Sequence, residues 1–364
     1  MFESISNFVR RHSRKLVIGG AVVGTYYGLL RYSQYKIIEW QKQEMQKRML
    51  NSKLKQHYEC TEKSCTQAIS NLGRCVRNSV LKLIRCQEII DQLKAGNCDK
   101  IACWNELKVN SICKSVLIIY ADIMLVLIMR LQMNIISASM FDNSSRPDEE
   151  RELKRIQEVY LNLTNYFMDG GIQQLSLFIK KKVEEVLKSI SLKDEFNLKE
   201  LEQIYLGIMS SILDDKSGDP VKNFRQYVFP QNLNIENNYQ LEDILNITLD
   251  FLESQQFQTL MQSNIRSGFV MIVDKISETF DKVANKSNDN SSSMTEEVAE
   301  SYLIVHNLEN SKLPFAKIIP IVNSLLPDVP ADNDIHETLL RFLIANHPLK
   351  CFGATVFEVL CTYQ

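Results

Sequence analysis

Glycine and proline are scarce in this 364-residue chain, at 12 and 8 residues. That scarcity argues against a loop-rich β fold, and the abundance of Leu, Ile, Lys, Glu and Gln favours helices. Net charge is nearly absent as well. Forty-two Lys and Arg stand against 44 Asp and Glu, so the chain as a whole is no nucleic-acid-binding polycation. It also lacks GxGxxG, GxxxxGK[ST], HExxH and GxSxG, and its five histidines are scattered at 12, 57, 306, 336 and 347. His306, in 301-SYLIVHNLEN-310, reads as a helix or loop histidine rather than a base or ligand. Catalytic roles are set by geometry, so these absences weigh against an enzyme without excluding one.

Cysteine is plentiful at nine residues, yet no CxxC pair occurs. An odd count on helix-like segments indicates reduced thiols in a cytosolic setting. A zinc site is the sharper alternative use of these cysteines, but neither a metal nor another cofactor is expected.

Residues 1–15 are basic through Arg10, Arg11, Arg14 and Lys15, and the uncharged stretch 16-LVIGGAVVGTYYGLL-30 follows. Fifteen helical residues span about 22 Å, short of the roughly 30 Å hydrocarbon core of a bilayer. Arg14, Lys15 and Arg31 can snorkel, and Tyr26, Tyr27 and Tyr32 suit a membrane interface. The downstream RYSQYKII offers no pair of small residues for signal cleavage, so an uncleaved anchor over 16–32 is expected. Gly20, Gly24 and Gly28 share one helix face, which permits self-association; the frequency of glycine in membrane helices explains them equally well. Charge leaves the orientation tied, since five Lys and Arg follow within 31–48 against four before. The reduced cysteines place the chain beyond the anchor in the cytosol. The sequons at Asn143, Asn162, Asn246, Asn285 and Asn290 would matter only in a lumen.

From 33 to about 95 the pattern predicts a long helix stopped by Gly96-Asn97. A short second helix follows from about Asp99 and carries Trp104 and Leu107. The next segment, 112–140, is apolar nearly all round. Asp122 and Arg130 interrupt it, so the central buried helix of a bundle is expected rather than a second span, with partners required for both charges. Loops are expected at 142–150, 214–220 and 285–297. Helices are expected at 172–190, twice within 239–280, and at 335–346 before a short apolar C-terminus. Prolines 314, 320, 327 and 330 forbid one long straight helix over 313–330. The expected fold class is all-α, an elongated helical bundle. Its segments are a basic targeting segment 1–15, the anchor 16–32, a juxtamembrane helix 33–50 and a body 51–364.

Trp104 stands among Lys100, Asn105, Glu106 and Lys108, just outside the apolar run. With Leu107 at i+3 it could hold a partner helix, or it could close the bundle's own end; spacing alone leaves both open.

The order of these features resembles the peroxin-3 family: the basic cluster, the short anchor, WxxLK at Trp104-Leu107-Lys108, 130-RLQMNII-136 and 313-LPFAKIIPIVN-323. The resemblance implies a helical bundle on the cytosolic face of the peroxisomal membrane. Its groove would take the amphipathic N-terminal segment of peroxin-19, the carrier of newly made peroxisomal membrane proteins. On this likeness the partner-binding residues are Leu93, Lys94, Lys100, Trp104, Leu107, Lys108 and Lys317, and membrane lipids are a further partner. The alternatives are a membrane-anchored tether binding lipid or another organelle's protein, and a membrane-anchored helical enzyme.

Overall fold

A computed structural model describes residues 2–96, 98–142, 147–230, 238–288, 312–331 and 333–363. It is all-α but for one two-residue ladder. Two compact units are present, Met1–Glu59 and Cys60–Gln364.

The first unit is helical along the start of α1 (Phe2–Leu83). Gly20, Gly24 and Gly28 lie on that helix, as do Arg10, Arg11, Arg14 and Lys15, whose side chains are outside the described residues. Tyr26, Tyr27, Tyr32, Tyr35 and Trp40 are exposed.

The second unit is built around α3 (Lys100–Asp142), a single helix of 43 residues. The short helix expected near Asp99 and the apolar run after it are therefore one element. No glycine or proline interrupts 100–142, so nothing in the chain breaks it. Among the described residues this is the helix long and apolar enough to cross a membrane, and its apolar window is fully buried in the protein. An all-round apolar helix is a core helix when others surround it. Here α2 (Cys86–Ala95), α5 (Ile172–Leu187) and α9 (Gln255–Asn288) pack on it, with α10 (Phe315–Asn323), α11 (Ile335–Ala345) and α12 (His347–Tyr363).

The two interrupting charges find partners. Asp122 meets His336 Nδ1 at 2.8 Å, both fully buried. Arg130 Nη1 donates to both oxygens of Glu62, at 2.8 and 2.7 Å, and Nη2 to the Ile344 carbonyl. Both interactions link α3 to other helices, as a charge in a dry interior requires.

Elsewhere the expected helix over 33–95 breaks at Ile84-Arg85, where α1 ends and α2 begins. The stop at Gly96 stands: its φ of 70° is left-handed, and its N–H turns back to Gln92 and Leu93. The apolar C-terminus is the helix α12. Residues 239–280 do hold two helices, α8 (Tyr239–Glu253) and the start of α9. The ladder pairs β1 (Glu195–Phe196) with β2 (Leu313–Pro314), antiparallel, and fixes the start of α10. Between α4 (Pro147–Tyr166) and α5 a π-turn, Phe167–Gly171, brings Gly171 against the Tyr227 carbonyl, where any Cβ would collide. The expected loop 285–297 lies largely outside the described residues, as does His306.

Candidate docking groove

Where the chain turns from α2 into α3, the two helices and α10 enclose a groove of about 540 Å³. Its geometry follows from helical spacing. On α2, Ile90, Leu93 and Lys94 fall at i, i+3 and i+4. On α3, Lys100, Trp104 and Leu107 fall at i, i+4 and i+7, one stripe along the helix. The Asp99 side chain caps the start of that helix by accepting from Ile101 N at 3.0 Å. The opposite wall is Ile319, Pro320 and Asn323 of α10 with Ser324, the residue that follows it.

Trp104 is partly buried, with its ring against the core, while Leu107 beneath it is 4% exposed. Lys94 and Lys100 are exposed at the rim, where Lys94 Nζ also lies 4.0 Å from an Asp91 carboxylate oxygen, and among the described residues no carboxylate lines the groove. The site is thus an apolar trough with a positive edge. It suits an amphipathic helix that carries acidic residues beside its apolar stripe.

Five of the seven partner residues read from the sequence meet here: Leu93, Lys94, Lys100, Trp104 and Leu107. Lys108 and Lys317 do not. Lys108 is buried on another face of α3, where Nζ donates to the carbonyls of Leu187 at 3.2 Å and Ile190 at 2.7 Å. It caps the C-terminal end of α5, whose last carbonyls lack helical donors. Burial holds its pKa below the ordinary lysine value. Lys317 is exposed one turn before Pro320, outside the groove lining. Sequence reading missed Ile90, Ile319, Pro320, Asn323 and Ser324. Four of these lie in or next to the island 313–323, and only the packing of α10 beside Trp104 shows their role.

No cluster of three or more metal-ligating side chains occurs among the described residues. Cys351 and His347 approach to 3.3 Å on α12 but stand as a pair.

The family model described as Peroxin-3 matches residues 7–100, 94–144 and 136–357. The chain belongs to the peroxin-3 family. Its relatives include the Peroxisomal biogenesis factor 3 of Bos taurus and that of Homo sapiens, each 27% identical over 383 residues, covering 100% of this chain and 99% of the relative. Peroxisome biogenesis protein 3-1 of Arabidopsis thaliana is 24% identical over 57% of this chain and 64% of its own length. Peroxin-3 proteins are peroxisomal membrane proteins, and membership gives this chain a role in peroxisome biogenesis.

Proposed function

We propose that this chain is the membrane docking receptor for peroxin-19. In this reading the groove between α2, α3 and α10 takes the amphipathic N-terminal segment of the carrier, which brings newly made membrane proteins for insertion. The observation that carries the reading is the setting of Trp104. A half-buried tryptophan lies in an apolar trough, rimmed by Lys94 and Lys100 and, among the described residues, lined by no carboxylate. A large rigid aromatic in such a pocket is the residue type that dominates helix-in-groove affinity.

Residues 16–32 serve as the anchor, with Arg10, Arg11, Arg14 and Lys15 as the targeting cluster before it, and the body from residue 33 faces the cytosol. Gly20, Gly24 and Gly28 offer a face for self-association in the membrane. The chain works by binding rather than by catalysis, with no cofactor.

The test is titration calorimetry of the full chain in nanodiscs with the carrier's N-terminal peptide. Trp104→Ala should leave the helical content intact and weaken binding by about thirtyfold or more, the loss typical of a central aromatic contact. Unchanged affinity would overturn the site.

A further inference from the structure

We infer that Lys114 is a positioning residue of the groove: its buried ammonium clamps the end of α10 to α3 and so holds the wall that faces Trp104. The inference rests on the docking reading above.

Lys114 is 2% exposed. Its Nζ reaches the Asn323 carbonyl at 3.0 Å, the Asn323 Oδ1 at 2.6 Å and the Leu326 carbonyl at 2.9 Å, so all three donors are used. No carboxylate pairs with it among the described residues. Burial lowers its pKa, with the nearby Cys86 and Asp328 countering only in part. A methionine would fill the same volume without desolvating a charge. What a methionine lacks is a donor for the carbonyls where α10 ends.

Those carbonyls need one. The last C=O groups of a helix have no partner within it. Ser324 N and Leu325 N turn back to the Pro320 and Val322 carbonyls, but those of Asn323 and Leu326 are satisfied by Lys114. α10 is also weak on its own. It is nine residues long, below the length at which isolated helices persist, and Pro320 removes one N–H from its ladder. Its first turn is pinned by Phe315 N to the Asp194 carbonyl and Ala316 N to the Leu192 carbonyl, both from the β1 side. Its far end is pinned by Lys114. Asn323 belongs to both arrangements, since it lines the groove and supplies two of the three oxygens that Lys114 holds.

Lys114 lies ten residues along α3 from Trp104, about 15 Å of helix. Both walls are thereby referenced to one rigid buried helix. Groove width is then set by α3 rather than by the fluctuations of a short, proline-containing helix, and preorganisation of this kind raises affinity without adding contacts.

The test compares Lys114→Met, Lys114→Arg and Trp104→Ala in the full chain, reading peptide affinity by calorimetry and amide hydrogen exchange by mass spectrometry. Lys114→Met should weaken the carrier peptide by about tenfold and speed exchange across 319–326, with exchange in α6 (Leu198–Leu213) and α9 unchanged. Lys114→Arg keeps the charge and should bind within about threefold of wild type. Trp104→Ala should lose binding without altering exchange at 319–326. A folded Lys114→Met chain with wild-type affinity overturns the inference, and so does acceleration spread evenly over the helices, which marks general loosening. If Lys114→Met does not fold, Lys114→Gln is read in the same way. If the wild type itself binds no peptide, the docking reading falls and the positioning role with it. Faster exchange at 319–326 would then mark Lys114 as a structural clamp alone.

Discussion

His336 Nδ1 lies 2.8 Å from Asp122 Oδ2, with both side chains sealed from solvent between α11 and the middle of α3. Burial works against the imidazolium, but the Asp122 charge and hydrogen bond outweigh it, and the Asp334 and Glu337 carboxylates add to them. The His336 pKa therefore stands above its ordinary value. Burial likewise lifts Asp122, and His336 draws it back only in part. The folded pair thus binds more protons than the unfolded chain. The histidine's part of that contribution is complete below about pH 6.5 and is lost as pH rises through the raised histidine value, whereas the part from Asp122 is lost earlier, as pH rises from about 3.9 through the raised carboxyl value. Urea unfolding between pH 6 and 9 should show that decline, and His336→Gln should flatten it. An unchanged slope in the variant would reject the assignment.

Reversing the rim charges should act on encounter more than on grip. Lys94→Glu with Lys100→Glu should slow association of an acidic peptide by about tenfold at low salt, with the difference shrinking as salt is added. Stopped-flow rates at two ionic strengths decide it.

Lys108→Met should separate stability from docking. It removes the donor from the Ile190 carbonyl and one of two from the Leu187 carbonyl, which keeps Ile190 N, and should cost about 1–3 kcal/mol in a denaturant melt. Peptide affinity should stay at wild type, because Lys108 lies outside the groove. A selective loss of affinity would return it to the binding surface.

Gly171→Ala tests the π-turn. The added methyl would meet the Tyr227 carbonyl, and the backbone must shift to admit it. Destabilisation of about 3 kcal/mol is expected. Gly207→Ala, where a Cβ meets only Val186 Cγ1 at an ordinary 3.9 Å, is the control within the same unit.

Orientation can be read from thiol chemistry. Cys60, Cys75 and Cys351 are exposed, while burial pushes the Cys65 and Cys113 thiols up to about 12. A membrane-impermeant maleimide added to intact peroxisomes should label Cys75 without detergent. Labelling only after lysis would place the body in the lumen.

Local chemistry made much of the fold legible. The Gly96 stop needs only a residue that tolerates positive φ. The breaks around Pro314 and Pro327 need only a missing N–H, and the amphipathic face of α5 needs only a period of 3.6. The run at 112–140 could be read as buried because its charges asked for partners. Those partners, His336 for Asp122 and Glu62 for Arg130, lie 214 and 68 residues away, and no local pattern names them. The same limit explains Lys108. Its neighbours Trp104 and Leu107 face the groove, but a residue one step beyond Leu107 is turned by about 100° and meets α5 instead.

By itself, then, the sequence determined the helical class, the stripe of Lys100, Trp104 and Leu107, and the requirement that the charges of α3 be paired. These follow from spacing and desolvation, which act within a few residues or on any buried charge. Only the tertiary structure decided what stands opposite that stripe. The wall of Ile319, Pro320, Asn323 and Ser324 reaches Trp104 because the β1–β2 ladder and Lys114 hold α10 there. A contact between segments more than 200 residues apart depends on the packing of everything between them.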